Sequence, residues 1–399
     1  MRQTTAVILA AGEGKRIKPI VTPKPLIPFM NKPMIEWIMD DFKSVGIKKF
    51  VLIVNLDHQK EFAKYKAKNI QLAIQKKPTG MAGAVLPASK LLTTSSMIVV
   101  NANDLISQRT YKHFIKTIKK HKKHPAVTGL KVKKAYHGGY FKIKDNKVVG
   151  IVEKPAKGYE PSPYANLVLH YFPNAQEFIK LIKNSKSKKD DLYEVALDKL
   201  MQQQTVGLVI TEDSFAQIKY PHQILDATSI LLKERLNQKK AIHSTAKIMA
   251  GAVIKNSYIG PNVIIGNNCL IRDSIIEADS VVGYNTEIAR SYVGPQSYFH
   301  CNYVGDSVIE GSSNMGSGAR LANLRFDEKE ILLRKDKDKI ETQKTKLGAI
   351  LGKGVKLGIN TSIMPGITIG ENSIIGSGVV LNDSVKTDSK VFVKQSLTS

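Results

Sequence analysis

The sequence predicts a chain in two parts: an α/β domain with a doubly wound, mainly parallel sheet, then a triangular parallel β-helix. Three observations predict it. Up to about residue 235, short apolar runs alternate with segments of helical period. From Ile242 onward, apolar β-type residues recur every five or six positions instead. A glycine-rich, basic stretch follows the first apolar run, where a doubly wound fold holds its ligand.

The runs Ala6–Leu9, Phe50–Val54 and Met97–Val100 read as buried strands, with helical periods at Met34–Val45 and Gly83–Leu92. Such βαβ alternation builds a parallel sheet with helices on both faces. A helical stretch, Gln223–Gln238, leads out of this domain, which we set at residues 1–235.

In residues 236–399, Ile242, Ile248, Ile254, Ile259, Ile265, Ile271, Ile276, Val282, Ile288 and Val293 follow steps of six, six and five. Leu351, Leu357, Ile363, Ile369, Ile375 and Leu381 then recur every six, with Gly or Asn beside many of them. This period is neither helical nor that of a plain strand. It suits one hexapeptide per face and about eighteen residues per coil. Residues 324–346 break the repeat. Of these 23 residues 14 are charged, so the segment is expected to project as a loop, solvated or ligand-binding.

Composition narrows the function. No apolar run approaches the roughly 18 residues that span a bilayer, so no membrane association is expected. The early first strand leads us to expect no leader, and the two cysteines, Cys269 and Cys301, make no disulfide framework. A reducing, cytoplasmic setting follows. The net charge of +26 suits nucleic acid or small polyanions. The densest cluster, Lys112–His124, interleaves its lysines with Phe114, Ile115 and Ile118 at helical spacing. That is the solvated face of an amphipathic helix, so small polyanionic substrates are favoured over nucleic acid.

Leu9–Pro28 gathers Gly12, Gly14, Lys15, Arg16, Lys18 and Lys24, with Glu13 its one acid. Glycines let a backbone approach a ligand, loop amides cradle anions, and Arg and Lys add positive charge. The stretch reads as a nucleoside triphosphate loop or as a basic, solvated turn. It is not a P-loop.

The spacing Leu9-Ala10-Ala11-Gly12-x-Gly14-x-Arg16, then Pro19, Pro23-Lys24-Pro25-Leu26 and Lys32-Pro33-Met34-Ile35, resembles the opening signature of the sugar-1-phosphate nucleotidylyltransferases. The resemblance implies transfer of a nucleotidyl group to a sugar-1-phosphate with release of pyrophosphate. It gives Gly12 and Gly14 to the phosphates, and Arg16 and Lys24 to charge stabilisation. Gln75-x-x-Pro78-x-Gly80 resembles the segment that reads uracil or thymine, implying UTP or dTTP. Asp104 stands where the family holds Mg²⁺. Glu153-Lys154-Pro155 and Asn166 match positions that contact the sugar and its phosphate. Four residues depart from the pattern: Asn103 and Val168 replace glycines, Met81 a hydroxyl residue, and Gln217 the second metal-binding acid.

His300-x-x-Tyr303-x-Gly305-Asp306, then Asn314-x-Gly316-x-Gly318 and Asn323, resembles the acetyltransferase half of bifunctional N-acetylglucosamine-1-phosphate uridylyltransferase/glucosamine-1-phosphate acetyltransferases, archaeal relatives included. The resemblance implies a left-handed β-helix, a homotrimer and acetyl-CoA as cosubstrate. His300 becomes the general base, with Tyr303 and Asn314 on the amino sugar phosphate and Asn323 orienting the amine. Lys346 lies near the acyl site, Arg272 and Arg290 serve the sugar phosphate, and Ser317 and Ser377 leave room for acetyl-CoA. Two other readings stay open: an acetyltransferase with a weak or inactive nucleotidyltransferase domain, and a non-catalytic regulatory or scaffold subunit of the same architecture.

Overall fold

The structure is a computed structural model that describes residues 4–92, 96–132, 138–145, 147–237, 239–335 and 338–394. The chain forms two compact units, and each is discontinuous in sequence. One comprises Met1–Glu13 and Ile35–Phe215, the other Gly14–Met34 and Ala216–Ser399.

The first unit is built on a nine-stranded sheet. Thr5–Ala10 pairs in parallel with Lys49–Asn55 on one side and Met97–Asn101 on the other, and Lys49–Asn55 pairs with Ile70–Gln75. The spatial order of these four strands is therefore third, second, first, fourth, which places a topological switch point between Thr5–Ala10 and Met97–Asn101. The Ala102 N–H donates to the Leu9 carbonyl at 3.0 Å just beyond their carboxyl ends. Both strands are wholly buried along their apolar runs, as parallel strands covered on two faces must be.

The rest of the sheet is mixed rather than parallel. Tyr164–Phe172 runs antiparallel to both Met97–Asn101 and Ala126–Lys131, and Tyr140–Lys144 forms an antiparallel hairpin with Lys147–Val152. Helix Gln108–Lys120 buries Tyr111, Phe114, Ile115 and Ile118 and leaves most of its lysines in solvent, as its pattern required.

In the second unit, strands of two or three residues stack into three parallel sheets of seven, eight and seven strands. This is the left-handed parallel β-helix. The periodic residues are its inward rungs: Ile259, Ile276, Val293, Ile309, Leu351 and Ile369 align on one face. All six are fully buried. A side chain of this kind stabilises the fold by roughly 1.5–3 kcal/mol when buried. The repeat continues through Phe299, Val304, Ile309, Met315 and Leu321, where two successive steps of five, to Val304 and to Ile309, break the period.

The charged insertion is more ordered than a solvated loop. Leu332–Lys335 pairs antiparallel with Asp338–Glu341, and Leu324 bridges Lys346 at its base. Ile331 and Leu333 are buried. The expected exit helix runs over Ile224–Leu231 and continues as a π-turn over Leu232–Leu236; Gln238 lies outside the described residues. Among the described residues, no helix is long and apolar enough to cross a membrane.

Candidate active sites

In the first unit, the predicted nucleotide and sugar residues collect at strand ends. Gly12 follows Thr5–Ala10, and the space above its Cα is open to 4 Å. Asp104 lies just past Met97–Asn101. It is 1% exposed, and its Oδ2 accepts a hydrogen bond from Asn101 Nδ2 at 3.1 Å. Gln75 ends its strand, buried, and its Nε2 donates to the Gly80 carbonyl at 3.2 Å. Gly80 has a φ of 67°, and a Cβ there would fall 1.9 Å from Asp190 Oδ1, so only glycine fits.

Glu153, Lys154 and Asn166 meet around Gly138 and Gly139. The Lys154 N–H donates to the Gly138 carbonyl at 3.2 Å, and the Asn166 N–H donates to that of Gly139 at 2.7 Å. A Cβ on Gly139 would lie 2.8 Å from Glu153 Oε2. Glu153 and Lys154 are themselves paired at 3.2 Å.

Sequence reasoning missed the residues behind this group. His170 Nε2 donates to Asn166 Oδ1 at 2.8 Å, and its Nδ1 accepts from Tyr193 Oη at 2.9 Å. Full burial pushes the His170 pKa down to about 3 and keeps the ring neutral. Glu194 is pushed up to about 7, mainly by burial and next by the Glu153 charge. One signal was available: Asn166 and His170 are four apart in a strand, hence on one face, in an otherwise apolar run.

The remainder of the opening signature belongs to the second unit. Gly14, at φ 69°, starts the turn Lys15–Ile17. Arg16 is exposed, its guanidinium carbon 6.0 Å from the centre of the Tyr220 ring. The Tyr220 ring stacks on His222, which burial pushes down to about 4. Lys24 opens the turn Lys24–Leu26 directly after Pro23. Gln217 ends the strand Phe215–Gln217.

On the β-helix, His300 occupies an exposed corner. Its N–H donates to Asn302 Oδ1 and its carbonyl accepts from Thr286 Oγ1, both at 2.8 Å. At the far end of the next strand, Tyr303 Oη donates to Asn323 Oδ1 at 3.4 Å, and Asn323 Nδ2 donates to Asp306. Gly305 makes this possible. A Cβ there would stand 2.6 Å from Asn323 Nδ2 and 2.7 Å from Tyr303 Oη.

Arg290 donates to both oxygens of Asp306 at 2.7 Å. It is one rung of a corner ladder, Asn256–Asp273–Arg290–Asp306–Asn323, one residue per coil. Arg272 donates to Glu287 at 2.9 Å. Both arginines expected at a phosphate thus already hold carboxylates here. Asn314 lies exposed on the coil after His300, between Tyr298 and Lys356 in register. Ser317 and Ser377 are exposed turn residues on later coils, and Lys346 is exposed where the insertion rejoins the helix.

Comparison with known proteins decides the family. A nucleotidyl transferase family model matches residues 5–229, a GMPPB C-terminal domain model residues 236–358, and a model of six bacterial transferase hexapeptide repeats residues 348–383. The bifunctional sugar-1-phosphate nucleotidylyltransferase/acetyltransferase of Sulfurisphaera tokodaii is 30% identical over 95% of this chain and 98% of its own. Bifunctional protein GlmU of Methanococcus maripaludis is 32% identical, covering 98% of each chain. The chain belongs to this family of bifunctional transferases. At the level of fold alone, it is similar to a putative glucose-1-phosphate thymidylyltransferase from Bacillus anthracis, with TM-score 0.52 and 18% identity over 57% of this chain and 95% of that one. A UDP-glucose pyrophosphorylase gives TM-score 0.51 and 16% identity over 58% and 99%.

Family membership agrees with the order of the parts: the nucleotidyltransferase match covers the switch-point sheet, and the hexapeptide match covers the late coils of the β-helix.

Proposed function

We propose that the protein acetylates an amino sugar-1-phosphate with acetyl-CoA. It then transfers a nucleotidyl group from UTP or dTTP to the product, releasing pyrophosphate. The observation that carries the acetyl step is the pairing of Tyr303 and Asn323 across Gly305, on the coil that presents exposed His300. His300 takes a proton from the amine, which attacks the thioester carbonyl. The new N–C bond forms as the C–S bond breaks, and the proton ends on the CoA thiol. Tyr303 and Asn314 hold the sugar phosphate, Asn323 orients the amine, and Lys346, Ser317 and Ser377 border the path of acetyl-CoA. Arg272 and Arg290 contribute positive charge for the phosphate, each from a carboxylate pair.

For nucleotidyl transfer, Gly12 and Gly14 admit the phosphates, Arg16 and Lys24 neutralise them, and Gln75 with Gly80 reads the base. Glu153, Lys154 and Asn166 hold the sugar phosphate. Among the described residues, no group of three or more His, Cys, Asp and Glu is arranged to hold a metal. A single buried carboxylate, Asp104, nonetheless suits Mg²⁺, which keeps waters and substrate phosphates as most of its ligands. Asp104 would hold the ion, whose charge eases attack on the α-phosphorus. We place the protein in the cytoplasm as a homotrimer, with its nucleotidyltransferase domain in residues 1–235 and its acyltransferase domain in 236–399.

A second reading rests on one residue. Gln217 brings no charge where the family has an acid, which favours an acetyltransferase with weak nucleotidyl transfer. One assay separates the readings. The purified protein is given acetyl-CoA, Mg²⁺, a panel of nucleoside triphosphates and several sugar-1-phosphates, and free thiol and pyrophosphate are followed separately. We expect both products. Thiol without pyrophosphate selects the second reading, and neither product selects a scaffold.

A further inference from the structure

The turn residue after each inward apolar rung obeys a rule on two faces of the β-helix. From Ile259 to Gly376 it is glycine at 260, 266, 283, 294, 316, 352, 358, 370 and 376. The reason is steric. A Cβ at Gly260, Gly266 or Gly283 would lie 2.9, 2.7 or 2.2 Å from backbone atoms of the next coil. Three residues break the rule: His300, Glu277 and Glu310. His300 is the expected base. The two glutamates occupy the same register position two coils apart, with Gly294 between them.

Both glutamates are buried, at 1% and 8% exposure, and a buried carboxylate is tolerated only where donors meet it. All but one of the donors come from segment 14–34. Glu310 Oε1 accepts from the Val21 N–H at 2.9 Å, the Thr22 N–H at 2.7 Å and Thr22 Oγ1 at 2.8 Å. Its Oε2 accepts from the Lys353 N–H at 3.0 Å. Glu277 is met less fully: its Oε2 accepts from the Asn31 N–H at 2.8 Å, its Oε1 has no hydrogen-bond partner, and burial pushes its pKa up to about 7. Met30 and Asn31, at φ 52° and 60°, form the two-residue turn of the hairpin Pro28–Phe29/Lys32–Pro33, and Glu277 meets the tip of that turn. Between the glutamates, Tyr292 Oη donates to the Pro28 carbonyl at 2.8 Å, and its ring lies 5.4 Å from that of Phe29.

We propose that Glu277 and Glu310 are positioning residues for nucleotidyl transfer. Sited on the acyltransferase β-helix, they clamp the signature loop at Val21–Thr22 and at Asn31, on either side of Lys24. The loop's shape, and with it the placement of Arg16 and Lys24 on the triphosphate, is set by the β-helix. This rests on the reading that Arg16 and Lys24 bind a nucleoside triphosphate.

The test uses the full-length chain with Glu310→Ala, Glu310→Gln and Glu277→Ala. Amide hydrogen exchange reads the clamp itself, UTP–Mg²⁺ calorimetry and pyrophosphate release read its use, and thiol release reads the acetyl step. With Glu310→Ala, the amides of Val21 and Thr22 exchange faster. UTP affinity and kcat/KM for nucleotidyl transfer fall about tenfold to a hundredfold, the scale of a misplaced catalytic group. Acetylation stays within about twofold, since positioning acts on one reaction only. Glu310→Gln keeps an acceptor for Val21 and Thr22 and recovers most of the loss. If the variants bind UTP like the wild type, or if both activities fall in proportion, the proposal is overturned while triphosphate binding stands. If the wild type neither binds nor turns over any nucleoside triphosphate, that earlier reading fails and the proposal falls with it.

Discussion

His170 Nε2 donates to Asn166 Oδ1 at 2.8 Å, and this bond ties a fully buried imidazole to the amide proposed to hold the sugar. The His170 pKa, about 3 against an ordinary 6.5, makes the pair sensitive to acid. As pH falls from about 6.5 towards 3, the unfolded chain takes up a proton that the folded chain refuses, so stability is lost over that window. His170→Phe should narrow the difference in Tm between pH 7.5 and pH 5. It should also raise KM for the sugar-1-phosphate, because Asn166 loses its donor. An unchanged Tm difference would mean that His170 is not the acid-sensitive group.

Glu194 works in the opposite sense. Its folded pKa, about 7, lies above the ordinary carboxyl value, so its contribution to stability is lost as pH rises from about 4.5 through 7. Above pH 7 it also adds negative charge beside Glu153. We expect KM for the sugar-1-phosphate to rise across that range in the wild type. In Glu194→Gln the profile should be flat, as steady-state kinetics from pH 6 to 8 would show.

Gly305→Ala tests the acetyl site without touching His300. The added methyl group meets Tyr303 and Asn323 at under 3 Å, so it must part them. Acetylation should lose about tenfold or more in kcat/KM, mostly through the amino sugar KM, while pyrophosphate release is unchanged.

His300→Ala should abolish acetylation to within the roughly 10²–10⁴-fold that a general base supplies, with nucleotidyl transfer retained. Persistent acetylation would remove His300 from the mechanism.

Gln217→Asp introduces the charge that the motif resemblance implies at this position. Nucleotidyl transfer should rise by roughly tenfold and saturate at lower Mg²⁺, measured as pyrophosphate release against metal concentration. No change would show that Gln217 is not limiting.

The β-helix was legible because a packed stack repeats its chemistry. Ile271, Ile288 and Ile363 occupy the same environment coil after coil, and their spacing records it. Legibility failed where the coil shortened, at Val304 and Ile309, and where a charged segment also buried Ile331 and Leu333. The first sheet showed its parallel strands through unbroken apolar runs, while in the antiparallel hairpin Lys142 and Lys144 interrupt one strand and Gly150 the other. The motif residues could be placed by local spacing. Their supports could not: Glu310 meets Thr22 across 288 residues of chain, and no local pattern encodes such a meeting.

The discontinuity of the two units bears on any attempt to divide the protein. A scissile boundary near residue 235 looks natural on the linear map, yet it would strip segment 14–34 of the coils that enclose it. Phe29, fully buried beside Tyr292, would then lose that neighbour, and the amides of Val21, Thr22 and Asn31 would lose their carboxylates. An N-terminal fragment made that way should be sticky and poorly soluble. A gene fusion or truncation that respects this fold has to keep the β-helix through Glu310 with the signature loop.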